Sequence, residues 1–355
     1  MTNEKKVIIH IGAPKTGSTT LQKFLEDNRQ ALLSQRWLYP TSITRGFGQH
    51  DLAFLLSGAY PEWASTQPFS LDEQIQKLRK EISVHHSPRL LLSSENFYLL
   101  CPPKKLALAM ESLGFAKSEV AIIIYLRRQD DAHLSWYNQK VKAQGYCGTV
   151  KQSISESLDL WDYFTRLSSW TEAFGEECLI VRPYRIDQLK KGDVRSDFLD
   201  RLGVESKGFM FSTEKHNTRL NYDIMQFQLR INKLALSISQ KRSFHRELVA
   251  LSAISESNGC FDDPPLLDHS DKLALMARYE IGNKQIMHRF PECKTLFEEN
   301  ICKATDPAGP SYSKLTPEKT SQILAWLEKK CSITKAHQDI LSAVSDNHAG
   351  KNKNG

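Results

Sequence analysis

The 355-residue sequence predicts an α/β protein with a central parallel sheet flanked by helices, followed by a helical C-terminal part. Short apolar runs recur along the first half of the chain, and each is followed by polar residues and then a helical pattern, which is typical of βαβ units. The run Ala121–Leu126 is continuously apolar, as expected of a central strand buried on both faces. After Gly203 the strand pattern stops and helical periodicity dominates.

The individual elements follow from these runs and from helix start and stop signals. Strands are predicted at Val7–Ile11, Leu90–Ser93, Val120–Leu126 and Leu179–Val181. Helices are predicted at Ser18–Ser34, Leu71–Glu81, Lys104–Leu113, Asp131–Ala143, Leu158–Phe174, Val194–Leu202, Asp223–Ser237 and Thr316–Lys330. Between them, Gly46–Phe69 has little pattern and is predicted to be a loop-rich excursion.

Three ranges describe the expected organisation. Residues 1–220 are expected to form the ligand-binding core. Residues 221–305 are expected to continue the same domain as helices, on the side where a second ligand, the acceptor, would enter. Residues 306–355 form a C-terminal helical segment that ends in a disordered tail from His348, where apolar residues are lacking.

Composition bounds the class of protein. Hydrophobic residues make up 40% and charged residues 25%, which is typical of a soluble globular protein. The 47 basic and 41 acidic residues give a net charge of +6, which suits anionic ligands but is too small to indicate nucleic-acid binding. The seven cysteines are scattered without a C-x-x-C pair, so the pattern indicates neither a zinc site nor a disulfide framework. We expect a cytoplasmic location, because the sequence shows no signal peptide and no apolar run near the ~18 residues of a membrane span.

The most informative segment is the turn that follows the first predicted strand. It reads Gly12-Ala13-Pro14-Lys15-Thr16-Gly17-Ser18-Thr19 and leads into an amphipathic helix. A strand, a phosphate-sized loop and a helix in this order make an anion site from backbone N–H groups and the positive end of the helix. Lys15 adds a full charge, and Ser18 and Thr19 add hydroxyl donors.

This loop differs from the nucleoside-triphosphate version, G-x-x-x-x-G-K-[ST], in which lysine directly follows the last glycine. Here the lysine stands two places before Gly17, and Ser18 follows that glycine. A lysine inside the turn is placed to reach a bridging oxygen at the mouth of the loop rather than the far phosphates of a triphosphate.

The segment Pro14–Thr19 resembles the 5′-phosphosulfate loop of sulfotransferases, which use 3′-phosphoadenosine 5′-phosphosulfate (PAPS). The resemblance covers roughly residues 5–220 and implies a P-loop nucleotide-binding fold with PAPS as the donor. The residues it assigns to the sulfate end of PAPS are Pro14, Lys15, Thr16, Gly17, Ser18 and Thr19.

A second cationic motif, Arg127-Arg128, ends the predicted central strand. Arginine at a strand end presents a planar fork suited to phosphate oxygens. Sulfotransferases bind the 3′-phosphate of PAPS with an arginine and a serine at this separation, so the resemblance assigns Arg127 and Ser135 to it, with Arg128 as the alternative arginine. It also makes Asn217 and Arg219 candidates, because the family often places a loop over the nucleotide there.

Two residues are candidates for the base that takes the acceptor proton. Glu95 lies just past the second predicted strand, at the same sheet edge as Lys15, and many sulfotransferases acting on glycans carry a glutamate at such a strand end. His50 is the alternative, since other branches use histidine and its ordinary pKa near 6.5 suits base catalysis. No metal is expected, because the lysine and the loop amides supply the charge that magnesium would bring.

The resemblance therefore implies transfer of a sulfuryl group from PAPS to a hydroxyl or amine. The basic stretch Lys233–Arg246 favours a carbohydrate or glycolipid acceptor, while a small phenol stays open. Two other functions remain as alternatives: a P-loop kinase or nucleoside triphosphatase that needs magnesium, and a nucleotide-binding protein without catalysis.

Overall fold

The computed structural model of the protein describes residues 6–86, 89–212, 219–298, 315–331 and 334–349. Within them the strands form one five-stranded sheet in the order β2-β3-β1-β4-β5, with every neighbouring pair parallel. The strands are β1 (Val7–His10), β2 (Trp37–Leu38), β3 (Arg89–Ser93), β4 (Val120–Leu126) and β5 (Leu179–Pro183). The predicted α/β class with a central parallel sheet is confirmed.

Helices make up most of the remaining secondary structure of the described chain. In chain order they are α1 (Ser18–Asp27), α2 (Arg29–Ser34), α3 (His50–Ser57), α4 (Leu71–His85), α5 (Glu95–Leu100), α6 (Pro103–Ser112), α7 (Gln129–Ala143), α8 (Val150–Ser155), α9 (Tyr163–Phe174), α10 (Val194–Leu202), α11 (Tyr222–Asn232), α12 (Ile238–Lys241), α13 (His245–Asn258), α14 (His269–Ala277), α15 (Glu280–Arg289), α16 (Lys294–Phe297), α17 (Pro317–Lys330) and α18 (Lys335–Ala349).

Three local features differ from the sequence predictions. The helix predicted at Ser18–Ser34 is two helices, because Asn28 breaks it and uses its side-chain amide to bond the Phe24 and Met210 carbonyls. The range Gly46–Phe69 is not a plain loop, since α3 lies within it. The strand β2 has only two residues, too few to leave a pattern in the sequence.

The strand order places a topological switch point between β1 and β4. From β1 the chain leaves towards β2, on one side of the sheet, whereas from the adjacent β4 it leaves towards β5, on the other. The two loops that follow these strands therefore diverge and leave a crevice at the carboxyl ends, where open α/β sheets bind ligands.

Residue contacts divide the chain into two compact units made of discontinuous segments. The first takes the described residues within 1–132, 159–214 and 278–299, and it contains the whole sheet. Its core packs strand residues such as Ile8 and Ile123 against Leu21 of α1 and Phe198 of α10.

The second unit takes the described residues within 133–158, 215–277 and 300–355 and is helical. Its core packs Phe227 and Ile231 of α11 against Leu248 of α13 and Val344 of α18. The boundaries at 220 and 305 remain a prediction about domains. Of the tail expected to be disordered, residues 350–355 lie outside the described part, and the backbone of 348–349 belongs to α18. None of the described helices combines the length and the apolar character that crossing a bilayer requires.

Candidate active site

The loop after β1 is a tight turn with three residues in the left-handed region. Gly12, Lys15 and Gly17 have φ values of 47°, 68° and 78°. For Lys15 this conformation costs about 1 kcal/mol relative to right-handed backbone, and such strain is concentrated at functional sites. Thr16 holds the turn closed, since its buried hydroxyl donates to the Ala13 carbonyl oxygen at 2.7 Å.

The end of this loop has the properties of an anion site. Gly17 is the N-cap of α1, and the first turn of this helix, all of it described, carries no acidic residue. The hydroxyl of Ser18 is buried there without a hydrogen-bond partner among the described residues. A buried donor at the positive end of a helix fits an oxygen of a phosphate or sulfate group. Thr19 lies beside it and is exposed.

Lys15 and Arg127 bring two positive charges to the switch point. Burial lowers the pKa of Lys15 below its ordinary value, and the charge of Arg127 lowers it further, while Glu95 opposes both effects. Two positive charges this close make the protonated form of each group less favourable. An anion that lies between them stabilises both charges. The loop after β1 and the end of β4 thus share one electrostatic environment.

At the end of β4 the two arginines have different surroundings. Arg128 makes a two-pronged ion pair with Asp130, with distances of 2.8 Å and 2.9 Å. Arg127 lies only within 3.9 Å of Asp131, and its carbonyl accepts a hydrogen bond from the buried hydroxyl of Tyr163 at 2.7 Å. This leaves the guanidinium of Arg127 the better placed to bind a phosphate.

Glu95 is the first residue of α5, and its neighbour Ser94 caps that helix by accepting from the Asn96 backbone N–H at 3.1 Å. The carboxylate accepts a hydrogen bond of 2.8 Å from the side-chain amide of Gln22, a buried residue of α1. Glu95 is half-buried, and its charge reaches Lys15.

His50 lies beside Glu95 because the start of α3 is tied to the end of β3. The backbone of Gln49 donates to the Ser93 carbonyl at 3.0 Å, and its side-chain oxygen accepts from the Ser93 N–H at 2.8 Å. The adjacent Gly48 approaches so closely that an added Cβ would lie 2.6 Å from the Ser93 carbonyl oxygen. The structure thus places both base candidates at one edge of the sheet.

The ring of His50 is oriented by two neighbours of Glu95. Its Nδ1 lies 2.7 Å from the Ser94 hydroxyl and 3.0 Å from the amide nitrogen of Asn96. Because an amide nitrogen can only donate, Nδ1 accepts, and the proton of the neutral ring is on Nε2. His50 therefore presents a donor to the site.

Two further sequence candidates belong to the second unit, and a third lies outside the described residues. Ser135 is on α7, eight residues after Arg127, and belongs to the second unit. Arg219 also belongs to the second unit, where it forms an ion pair with Asp263. Asn217 lies outside the described residues.

Two residues of the site were missed by sequence reasoning. Gln22 has no motif of its own, and only its position one turn after the loop could have drawn attention to it. Tyr184 follows β5, and its ring packs on Gly17, where an added Cβ would lie 2.9 Å from the Tyr184 hydroxyl. Burial raises the pKa of Tyr184, and the charge of Arg127 opposes that increase.

Across the part of the chain that the structure describes, no group of three or more His, Cys, Asp or Glu side chains is arranged to hold a metal ion.

Comparison with known proteins gives limited similarity. No protein-family model matches the chain. A protein of Archaeoglobus fulgidus, described as uncharacterized, is 40% identical over 84 residues, which are 24% of this chain and 22% of the relative. The chain thus matches only about a fifth of that relative's length.

The fold comparison finds the crystal structure of a sulfotransferase from Alicyclobacillus acidocaldarius. The match covers 84% of this chain and 97% of that one, with a TM-score of 0.40 and 14% identity. A likeness of this size does not by itself indicate an activity.

Proposed function

We propose that this protein is a sulfotransferase that moves a sulfuryl group from PAPS to a hydroxyl or amine of an acceptor. The observation that carries the proposal is the buried Ser18 hydroxyl at the N-terminus of α1, which has no hydrogen-bond partner among the described residues and lies at the β1/β4 switch point with Lys15 and Arg127. Two cations in one partly buried crevice favour a ligand with more than one anionic group. PAPS is such a ligand, with negative charge at the 5′ and 3′ positions.

The residues present fit the two ends of this donor. The backbone N–H groups of the loop 15–18 and the unpartnered hydroxyl of Ser18 would hold the 5′-phosphosulfate. Pro14 has no N–H and shapes the turn. Arg127 would hold the 3′-phosphate, and Ser135 stays a prediction made from its spacing along the chain.

Glu95 is the better candidate for the base. A carboxylate accepts a proton at either oxygen, whereas the ring of His50 has its Nδ1 occupied by Ser94 and Asn96 and carries its proton on Nε2. We therefore assign proton acceptance to Glu95 and hydrogen-bond donation to His50. The His50 Nε2–H group would orient the acceptor or a sulfuryl oxygen.

The reaction then follows from these roles. The acceptor oxygen attacks sulfur, its proton passes to Glu95, and the bond between sulfur and the bridging oxygen breaks. The electron pair of that bond stays on the 5′-phosphate of adenosine 3′,5′-bisphosphate, where the Lys15 ammonium group stabilises it. Transfers of this type depend on positioning and electrostatics.

Incubation with ³⁵S-labelled PAPS and a panel of glycans, glycolipids and phenols tests the proposal. We expect label in at least one acceptor with the wild-type protein and none with Glu95→Gln, which should still bind adenosine 3′,5′-bisphosphate in calorimetry. Tighter binding of magnesium-ATP than of the bisphosphate would favour a kinase instead. Binding of the bisphosphate without transfer to any acceptor would favour a non-catalytic nucleotide-binding protein.

Carbohydrate or glycolipid acceptors come first in that panel because of the basic stretch Lys233–Arg246. Four of its cationic side chains, Lys233, Lys241, Arg242 and Arg246, belong to the second unit. Three of these side chains are exposed, namely Lys233, Arg242 and Arg246. Exposed cations favour an anionic acceptor over a neutral one.

A further inference from the structure

Gln22 links the donor loop to the base. It lies on α1, one turn after Gly17, and its amide nitrogen donates to Oε2 of Glu95 at 2.8 Å. The side chain is 2% exposed, and its amide carbon lies 3.3 Å from the position that a Cβ on Gly48 would occupy. The amide is therefore enclosed between the loop before α3 and the carboxylate, and it has little freedom to turn away.

A neutral donor suits this position. A hydrogen bond to the ionised carboxylate favours the ionised form, which is the form that accepts a proton. It also fixes one oxygen, so that the other is presented in a constant direction. A cation in the same place would bind the carboxylate more strongly and make it a poorer base.

Other charged and titratable groups also face Glu95. The charge of Glu95 reaches Lys15 in the loop after β1 and Tyr39 in the segment after β2, and the ring of His50 contacts the two neighbours of Glu95 in sequence. The Tyr39 hydroxyl donates to the Phe47 carbonyl at 2.6 Å. The Gln22 amide donates directly to the Glu95 carboxylate.

We infer that Gln22 is a positioning residue that fixes the orientation of the Glu95 carboxylate, and so couples the donor-binding helix to the proton acceptor. The inference rests on the proposed function for its catalytic meaning. The hydrogen bond itself is independent of that function.

The test compares Gln22→Met, which keeps the volume and removes the donor, with Gln22→Glu, which places a second carboxylate beside the first. Gln30→Met, at an exposed position of α2, is the matched control. Nitrogen-15 NMR of side-chain amides follows the hydrogen bond of Gln22, whose signal is assigned by its loss in Gln22→Met.

We expect the Gln22 side-chain amide signal to shift in Glu95→Gln, because the charged acceptor of its hydrogen bond is lost. At neutral pH kcat should fall about tenfold in Gln22→Met and at least as far in Gln22→Glu, where a second carboxylate repels the first. The KM for PAPS should be unchanged in both variants. Gln30→Met should behave as wild type. If Gln22→Met does not fold, Gln22→Asn provides the same readouts, since its amide is one methylene too short.

The outcomes separate the inference from the proposed function. An unchanged kcat in both Gln22 variants, with transfer intact, would overturn the role of Gln22 alone. A Gln22 amide signal that shifts in Glu95→Gln, in a protein that transfers no sulfuryl group, would overturn the proposed function and leave the hydrogen bond established.

Discussion

His10 should make the stability of this protein sensitive to mild acid. It is the last residue of β1, fully buried, with Nδ1 2.7 Å from the Ser93 hydroxyl and its ring against Tyr125 and Phe198. Its Nε2 has no hydrogen-bond partner among the described residues. Burial lowers the pKa of His10 from 6.5 to about 3.

The sign follows from which state binds the proton. Below pH 6.5 the unfolded chain protonates this histidine, whereas the folded protein does not until about pH 3. The stability that depends on a neutral His10 is therefore complete above pH 6.5, and it is lost progressively as the pH falls towards 3. Each pH unit within that window costs about 1.4 kcal/mol, so lowering the pH to 5 removes about 2 kcal/mol.

Urea unfolding of the wild type and of His10→Asn at pH 7 and pH 5 measures this effect. The variant lacks the titrating ring, so it should lose about 2 kcal/mol less than the wild type between the two pH values. His85→Asn, at an exposed position of α4, is the control and should follow the wild type. Equal losses in the wild type and His10→Asn would refute the reasoning.

Three further perturbations test the site. Lys15→Ala should lower the transfer rate with ³⁵S-PAPS by about 10²–10³, and a rate near that of the wild type would exclude its role at the bridging oxygen. Arg127→Gln removes the like charge that lowers the pKa of Lys15. The variant should therefore bind the bisphosphate more weakly, but the binding should persist to higher pH because Lys15 keeps its proton longer. Calorimetry between about pH 7 and 10 measures both effects. An unchanged alkaline limit would contradict the coupling. Gly48→Ala would place a Cβ 2.6 Å from the Ser93 carbonyl oxygen and should cost about 1–3 kcal/mol in urea unfolding, whereas wild-type stability would show that the loop yields freely.

Local sequence patterns predicted most strands of the sheet and the charged side chains at the carboxyl ends of those strands. The continuous apolar run of β4 and the glycines around Lys15 are signals contained in a few adjacent residues. The same holds for α17, which is predicted at Thr316–Lys330 and which the structure places at Pro317–Lys330 with Thr316 as its N-cap. Patterns of this kind depend on backbone sterics and capping chemistry, which act over one or two turns.

The position of α3 is a part of the fold that local sequence patterns do not predict. Its apolar residues lie between prolines and glycines in a stretch of little periodicity, and the helix is anchored by Gln49 to a strand edge 44 residues away in sequence. A side-chain amide that hydrogen-bonds a backbone group so far away in the sequence leaves no pattern among the residues around it. The placement of His50 beside Glu95 follows from this contact.

The sequence by itself determined the α/β class, the tight loop around Lys15 and the residue types available for chemistry, because these depend on neighbours along the chain. Only the tertiary structure decided that Lys15 and Arg127 share one electrostatic environment, that His50 presents a donor, and that Gln22 bonds Glu95. These depend on burial and on hydrogen bonds between residues far apart in sequence, which exist only once the sheet has brought them together.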